Sequence, residues 1–348
     1  MNAIQEWASR QSLDVRGWRG NRHVQTVWNK FALRHERIPA EEILHIPLID
    51  GTGQMQLLVH RRQVDAPLLL LFHGLEGSAE APYMVAATRR ALDRGWNAVR
   101  VNTVNCGGTL GLARRFYHAG MTEMIESVLP WTRSQGFRRI CLAGFSLGGN
   151  QVLRYLGLKS ADVPVEVQAA AVVSTPIDLE QSCRAIDART NFVYRYNFLH
   201  SMHRTLAAKR RLHPELFSGI PHRRARTFRE FDDWYTAPLC QFQSADDYWT
   251  RASSIRTLVH VSRPTLILHA QDDPFIPFKQ FEQVPWQDNP NLVPLFTSKG
   301  GHLGFHGEDS QWAASRVLEF FENVLESPKS EITAAQSKIG DWGLGNGD

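Results

Sequence analysis

The sequence is poor in cysteine, and the four it has (Cys106, Cys141, Cys183, Cys240) stand in no C-x-x-C pair. That spacing argues against a disulfide framework or a thiolate metal site and suits a reducing compartment. Long apolar runs are also missing. The longest, such as "PLLLLFHGL", fall far short of a membrane span. The opening "MNAIQEWASR" has an acid at Glu6 and no apolar core, so it does not read as a secretory signal. The excess of positive over negative charge is small too: the formal net charge is +4, too mild for a general grip on nucleic acid. No G-x-G-x-x-G follows the first parallel-type strand, and no P-loop occurs. These absences argue against dinucleotide or phosphate-loop chemistry and leave a cytoplasmic protein as the expectation.

What the sequence has is rhythm. Eight strand-like runs cover 42–49, 54–61, 67–72, 96–101, 138–143, 167–173, 264–270 and 291–297. The first two alternate about "DGTG", a hairpin signal, and the middle ones are continuously apolar, as strands buried on both faces are. Helical patterns lie near 80–94, 120–134, 147–158 and 309–326. Alternating strand and helix predicts an α/β fold with a mostly parallel eight-stranded sheet flanked by helices. Roughly 80 residues without a strand interrupt the rhythm before 264. A structureless loop of that length is implausible, so a helical insertion over the sheet is expected. The predicted organisation is an N-terminal arm at 1–40, a core at 41–175 and 256–326, a helical cap at 176–255 and a loosely held tail at 327–348.

Between the fifth strand and its helix stands "CLAGFSLGGN", in which Gly144-Phe145-Ser146-Leu147-Gly148 fits G-x-S-x-G. A sharp strand-to-helix turn leaves no room for side chains two residues either side of the serine, so glycine belongs there and Ser146 is lifted clear of the sheet. A nucleophilic serine needs a base and an acid that orients the base, in the chain order Ser, acid, His. "LILHAQDDPFIP" supplies the acid beyond one strand and "FTSKGGHLGF" supplies His302 beyond the next. Asp273 is preferred, with Asp272 and, beyond the preceding strand, Asp178 as alternatives. The oxyanion donors are assigned to the amides of Leu75 and Leu147. His73, His118 and Phe145 are candidate pocket residues, although His73 also reads as a residue that shapes its loop and His118 as a helix cap. His203, His213 and His222 are expected in solvent.

With these residues in place the chain resembles the α/β-hydrolase superfamily, in particular its YheT-like branch with the ABHD-type esterases and phospholipases. "GNRHVQTVW" (20–28), "HGLEGSAEAPY" (73–83), "ALDRGWNAV" (91–99), "NTVNCGGT" (102–109) and "RRFYHAG" (114–120) carry that likeness over roughly residues 15 to 325. The chain departs from the pattern at Val104-Asn105-Cys106-Gly107, where an arginine-glycine is usual, and at Arg22, where proline is common. The resemblance implies a Ser146-Asp273-His302 charge relay and hydrolysis of carboxylic esters, of lipids or medium-chain acyl groups, without metal or organic cofactor. A binding protein on a hydrolase scaffold and an acyltransferase are the competing readings.

Two further segments bear on partners. Residues 203–229 hold seven arginines and one lysine against one acid, Glu215, with aromatics nearby. The segment reads either as a solvated basic helix face or as a weak peripheral contact with anionic membrane. In the 20–28 stretch, Val24, Val27 and Trp28 are expected on the core, with His23 and Gln25 near the mouth of the site.

Overall fold

The structure, a computed structural model, describes residues 3–32 and 37–327. Most of the predicted tail thus lies outside the described residues. Eight strands form one sheet: β1 (Glu42–Pro47), β2 (Gln54–His60), β3 (Leu68–Phe72), β4 (Asn97–Asn102), β5 (Ile140–Phe145), β6 (Val167–Val173), β7 (Thr265–Ala270) and β8 (Leu292–Thr297). Their order is β1-β2-β4-β3-β5-β6-β7-β8. The β1–β2 and β2–β4 pairs are antiparallel, and the rest are parallel.

The helices are α1 (Ala3–Ser9), α2 (Arg22–Ala32), α3 (Pro82–Asp93), α4 (Glu123–Ser134), α5 (Leu147–Lys159), α6 (Leu179–Asp187), α7 (Phe192–Leu212), α8 (Phe228–Phe231), α9 (Ala237–Leu239), α10 (Ala245–Ala252), α11 (Lys279–Glu282) and α12 (Trp312–Glu326). The central strands β3 and β5 are buried on both sides because they are apolar on both sides. Leu68, Leu70 and Phe72 of β3 join a core with α4 and α5, whereas Leu69 and Leu71 join another with α1, α3 and α12. That period of two, apolar throughout, is what a central parallel strand requires.

Between β6 and β7 the chain runs through α6 to α10 with no strand, around a core that includes Leu199, Met202, Phe228, Phe231 and Trp249 and takes in Phe116 and Leu147 from beneath. One polar side chain ties this segment to the sheet layer. Asn150 on α5 donates to the carbonyls of Ala119 (2.9 Å) and Ala252 (2.8 Å) and accepts from the Ser254 amide (2.9 Å). A buried amide group with each of these bonds made fixes position more than it adds stability.

The N-terminal segment differs from expectation. Trp28 packs on Trp18 (5.0 Å between rings) and on His306 (6.5 Å), not on the sheet core. Gln25 of α2 is buried. It donates to the carbonyls of Arg19 and His306 and accepts from the His306 amide at 2.7 Å.

Candidate active site

Ser146 follows β5 directly and precedes α5, at φ 52° and ψ −121°. A non-glycine residue at positive φ is strained and persists only where its surroundings hold it. Here the Ser146 amide donates to the Val173 carbonyl at 2.9 Å and its carbonyl accepts from the Gly149 amide at 2.9 Å. The neighbouring glycines are steric necessities. A Cβ on Gly144 would sit 2.6 Å from the Gly148 carbonyl oxygen, and one on Gly148 would sit 2.5 Å from the Phe72 oxygen.

Two loops at the C-terminal ends of β7 and β8 meet this serine. His302 Nε2 lies 3.1 Å from Ser146 Oγ, and His302 Nδ1 lies 2.8 Å from an Asp273 carboxylate oxygen. Because Nδ1 faces a carboxylate, it carries the proton, and Nε2 presents its lone pair to the serine hydroxyl. The other Asp273 oxygen accepts from the amides of Phe275 (2.8 Å) and Ile276 (3.1 Å), so the carboxylate is locked as well as buried. The His302 loop is held by further groups: its amide donates to Thr26 Oγ1 (3.0 Å), and the Leu303 amide donates to Ser174 Oγ (3.1 Å).

The alternative acids are engaged elsewhere. Asp272 accepts from the Gly301 amide at 2.8 Å, and burial raises its pKa. Asp178 caps α6 by accepting from the Gln181 amide at 3.1 Å. The Leu75 and Leu147 amides have no protein acceptor among the described residues, and both residues line the same cavity as Ser146.

That cavity encloses about 800 Å³ including its open mouth. Ser146 and His302 stand in a wall otherwise built largely of apolar side chains, among them Ile186, Phe198, Met202, Phe228 and Phe275. Phe275 packs its ring 4.8 Å from the His302 ring. Apolar walls with a few convergent polar groups are the usual form of a small-molecule site.

Of the expected pocket residues, His118 lines the cavity. Its Nδ1 accepts from the Gly120 amide, and burial lowers its pKa to about 3, so it is neutral. His73 and Phe145 do not line it. His73 is sealed beneath the loop, donating from Nδ1 to the Gly74 carbonyl (2.8 Å) and accepting at Nε2 from the Thr103 amide (3.2 Å). Phe145 points to the opposite face of the sheet and packs on Tyr83 at 4.9 Å, as the residue preceding the turn on an alternating strand must. His203 is not in solvent either: its ring packs on Phe231 and Tyr235 and its Nε2 donates to the Ala225 carbonyl.

Sequence comparison agrees with this architecture. Residues 67–309 match the alpha/beta hydrolase fold family. The chain belongs to that family. The Escherichia coli K12 protein YheT is 30% identical over 328 residues, which are 92% of this chain and 95% of YheT. A Saccharomyces cerevisiae protein named medium-chain fatty acid ethyl ester synthase/esterase 2 is 28% identical, over 76% of this chain and 64% of its own. Among solved structures, the Pyrococcus furiosus esterase Pf2001 superposes with a TM-score of 0.54 at 16% identity, covering 81% of this chain and 92% of that one. At that identity the likeness concerns the fold alone. Among the described residues of this hydrolase-fold chain, no helix is long and apolar enough to cross a membrane.

Proposed function

We propose that this protein hydrolyses carboxylic esters through an acyl-enzyme on Ser146. The observation that carries the reading is the line of three groups, Ser146 Oγ to His302 Nε2 at 3.1 Å and His302 Nδ1 to Asp273 at 2.8 Å, at the edge of an apolar cavity. Ser146 Oγ attacks the ester carbonyl while His302 Nε2 takes its proton. Asp273 holds the imidazole in the right tautomer and stabilises its charged form. Negative charge on the carbonyl oxygen is met by the Leu75 and Leu147 amides, helped by the positive end of α5. The tetrahedral intermediate expels the alcohol, which takes the proton from His302. Water, deprotonated by the same imidazole, then attacks the acyl carbon and releases the acid and free Ser146.

The cavity's aliphatic and aromatic wall favours an acyl chain, and the yeast relative's name joins ester synthesis with ester hydrolysis, so acyl transfer to an alcohol is the second reading. In both, residues 176–255 act as a cap that shapes the acyl site. Peripheral contact with a lipid surface draws support from Phe192, Val193 and Tyr196, all exposed near the start of α7. The basic run gives it less support than its composition promises. Lys209 is buried, donating to the Leu110 and Ala113 carbonyls, and Arg210, Arg223 and Arg229 lie over Phe217, Trp234 and Trp249.

A panel of p-nitrophenyl esters of rising chain length tests the reaction. Wild-type protein is expected to turn them over, and Ser146→Ala to lower kcat by roughly 10⁶. Near-normal turnover in that variant refutes the assignment.

A further inference from the structure

Glu76 takes no step in that chemistry, yet it follows Leu75 directly and has φ 52°. A glutamate in the left-handed region is held there by something other than its own preference. Its carboxylate supplies the hold. One oxygen accepts from the Tyr117 hydroxyl at 2.7 Å, and the other accepts from Ser201 Oγ at 2.7 Å and Thr205 Oγ1 at 2.8 Å. Ser201 and Thr205 are four apart on α7, so they present both hydroxyls from one helix face. On its other side the loop is fixed to the sheet layer: the Gly74 amide donates to the Tyr83 hydroxyl at 3.0 Å, and His73 donates to the Gly74 carbonyl.

The loop bearing the Leu75 amide is therefore clamped twice, once by the core and once, through Glu76, by the helix that crosses the cavity. Hydrogen bonds to an ionised acceptor are stronger than neutral ones, and three on one carboxylate leave it little freedom. All three of these partners are hydroxyl donors, and none is a guanidinium or ammonium group.

We infer that Glu76 is a positioning residue: through Ser201 and Thr205 it holds the Leu75 amide where the oxyanion forms, so that the seating of α7 sets the rate of acyl transfer. This rests on reading Ser146 as the nucleophile. Oxyanion donors act through placement, and a displacement of a fraction of an ångström weakens them without touching substrate affinity.

The test uses Glu76→Gln and the double variant Ser201→Ala/Thr205→Val, which leaves Glu76 itself intact. Each is compared with wild type on p-nitrophenyl butyrate, with rates normalised to the serine titrated by a fluorophosphonate. Both variants are expected to lose kcat per titrated site by roughly 10- to 100-fold, a part of the effect of deleting an oxyanion donor, with KM within about twofold. Unchanged kcat per titrated site, with only lower thermal stability, makes Glu76 structural and overturns the inference. A rise in KM at constant kcat makes it a substrate contact and overturns it as well. If wild type neither hydrolyses the ester nor labels at Ser146, the underlying reading fails and takes this one with it. If wild type is active and Ser146→Ala is dead while both variants keep kcat, the positioning claim alone fails.

Discussion

The corner that carries Ser146 and the helical segment that roofs it are held in different ways. At the corner, backbone faces backbone: hypothetical side chains at 144 and 148 would meet carbonyl oxygens at 2.6 and 2.5 Å, one in the first turn of α5 and the other in β3, and neither can move without disturbing its element. In the roof, side chains hold side chains and amides across long stretches of sequence. Asp232 accepts from Trp249 Nε1 and Thr236 Oγ1, each at 2.7 Å, and Asp187 accepts from the Phe228 amide at 2.8 Å. Asp232 opens a single π-helical turn, Asp232–Thr236, a form that tends to occur at functional positions. The difference teaches where each region tolerates change. The corner accepts no added atom, whereas the roof depends on which polar groups are ionised and which hydroxyls are present.

The largest effect on stability is expected at the corner. Gly148→Ala places a methyl group against two backbone oxygens, of Phe72 at 2.5 Å and His73 at 2.6 Å. Overpacking against atoms that cannot yield costs about 3 kcal/mol or more. Urea unfolding of the variant checks this, and a loss below about 1 kcal/mol would mean the corner yields as a side-chain core does.

A smaller and pH-dependent effect is expected in the roof. Asp232 is 4% exposed, and burial raises its pKa to about 7. Its folded-state pKa therefore lies above the unfolded one. Between about pH 4 and 7 the folded state binds more protons, so stability falls as pH rises through that window and the loss is complete above it. Asp232→Asn resembles the protonated acid and escapes the loss, but it keeps one oxygen for two donors at a cost of about 1 kcal/mol. The variant is expected to be slightly less stable than wild type near pH 4 and more stable, by on the order of 2 kcal/mol, above pH 7. Thermal unfolding across pH shows the crossover. Parallel curves would mean that the carboxylate is not held protonated by its surroundings.

The same contrast explains what was legible in the sequence. The strands were legible because burial on both faces writes itself as an unbroken apolar run, as in Leu68–Phe72. Ser146 and His302 were legible because a steric corner and a glycine-flanked loop leave local marks. Choosing between Asp272 and Asp273 needed the loop's geometry: adjacent residues point apart, so one reaches His302 and the other the Gly301 amide. Glu76, Thr26, Ser174 and Asn150 left no mark, since a single polar residue acquires its role only from a partner far along the chain. His73 reads from its place both as a residue that shapes its loop and as a pocket residue, and its ring, turned inward to Thr103, fits the first. Lys209 reads as part of a basic run, although its ammonium group is buried against two carbonyls and burial lowers its pKa to about 8.

The central claim is that the Ser146 hydroxyl is activated by His302. The measurement that meets it most directly is labelling with a fluorophosphonate, read by peptide mass, on wild type and His302→Ala. The account predicts one adduct, on Ser146, forming readily in wild type and orders of magnitude more slowly without the imidazole. An adduct elsewhere, no adduct at all, or equal rates in the two proteins would contradict it.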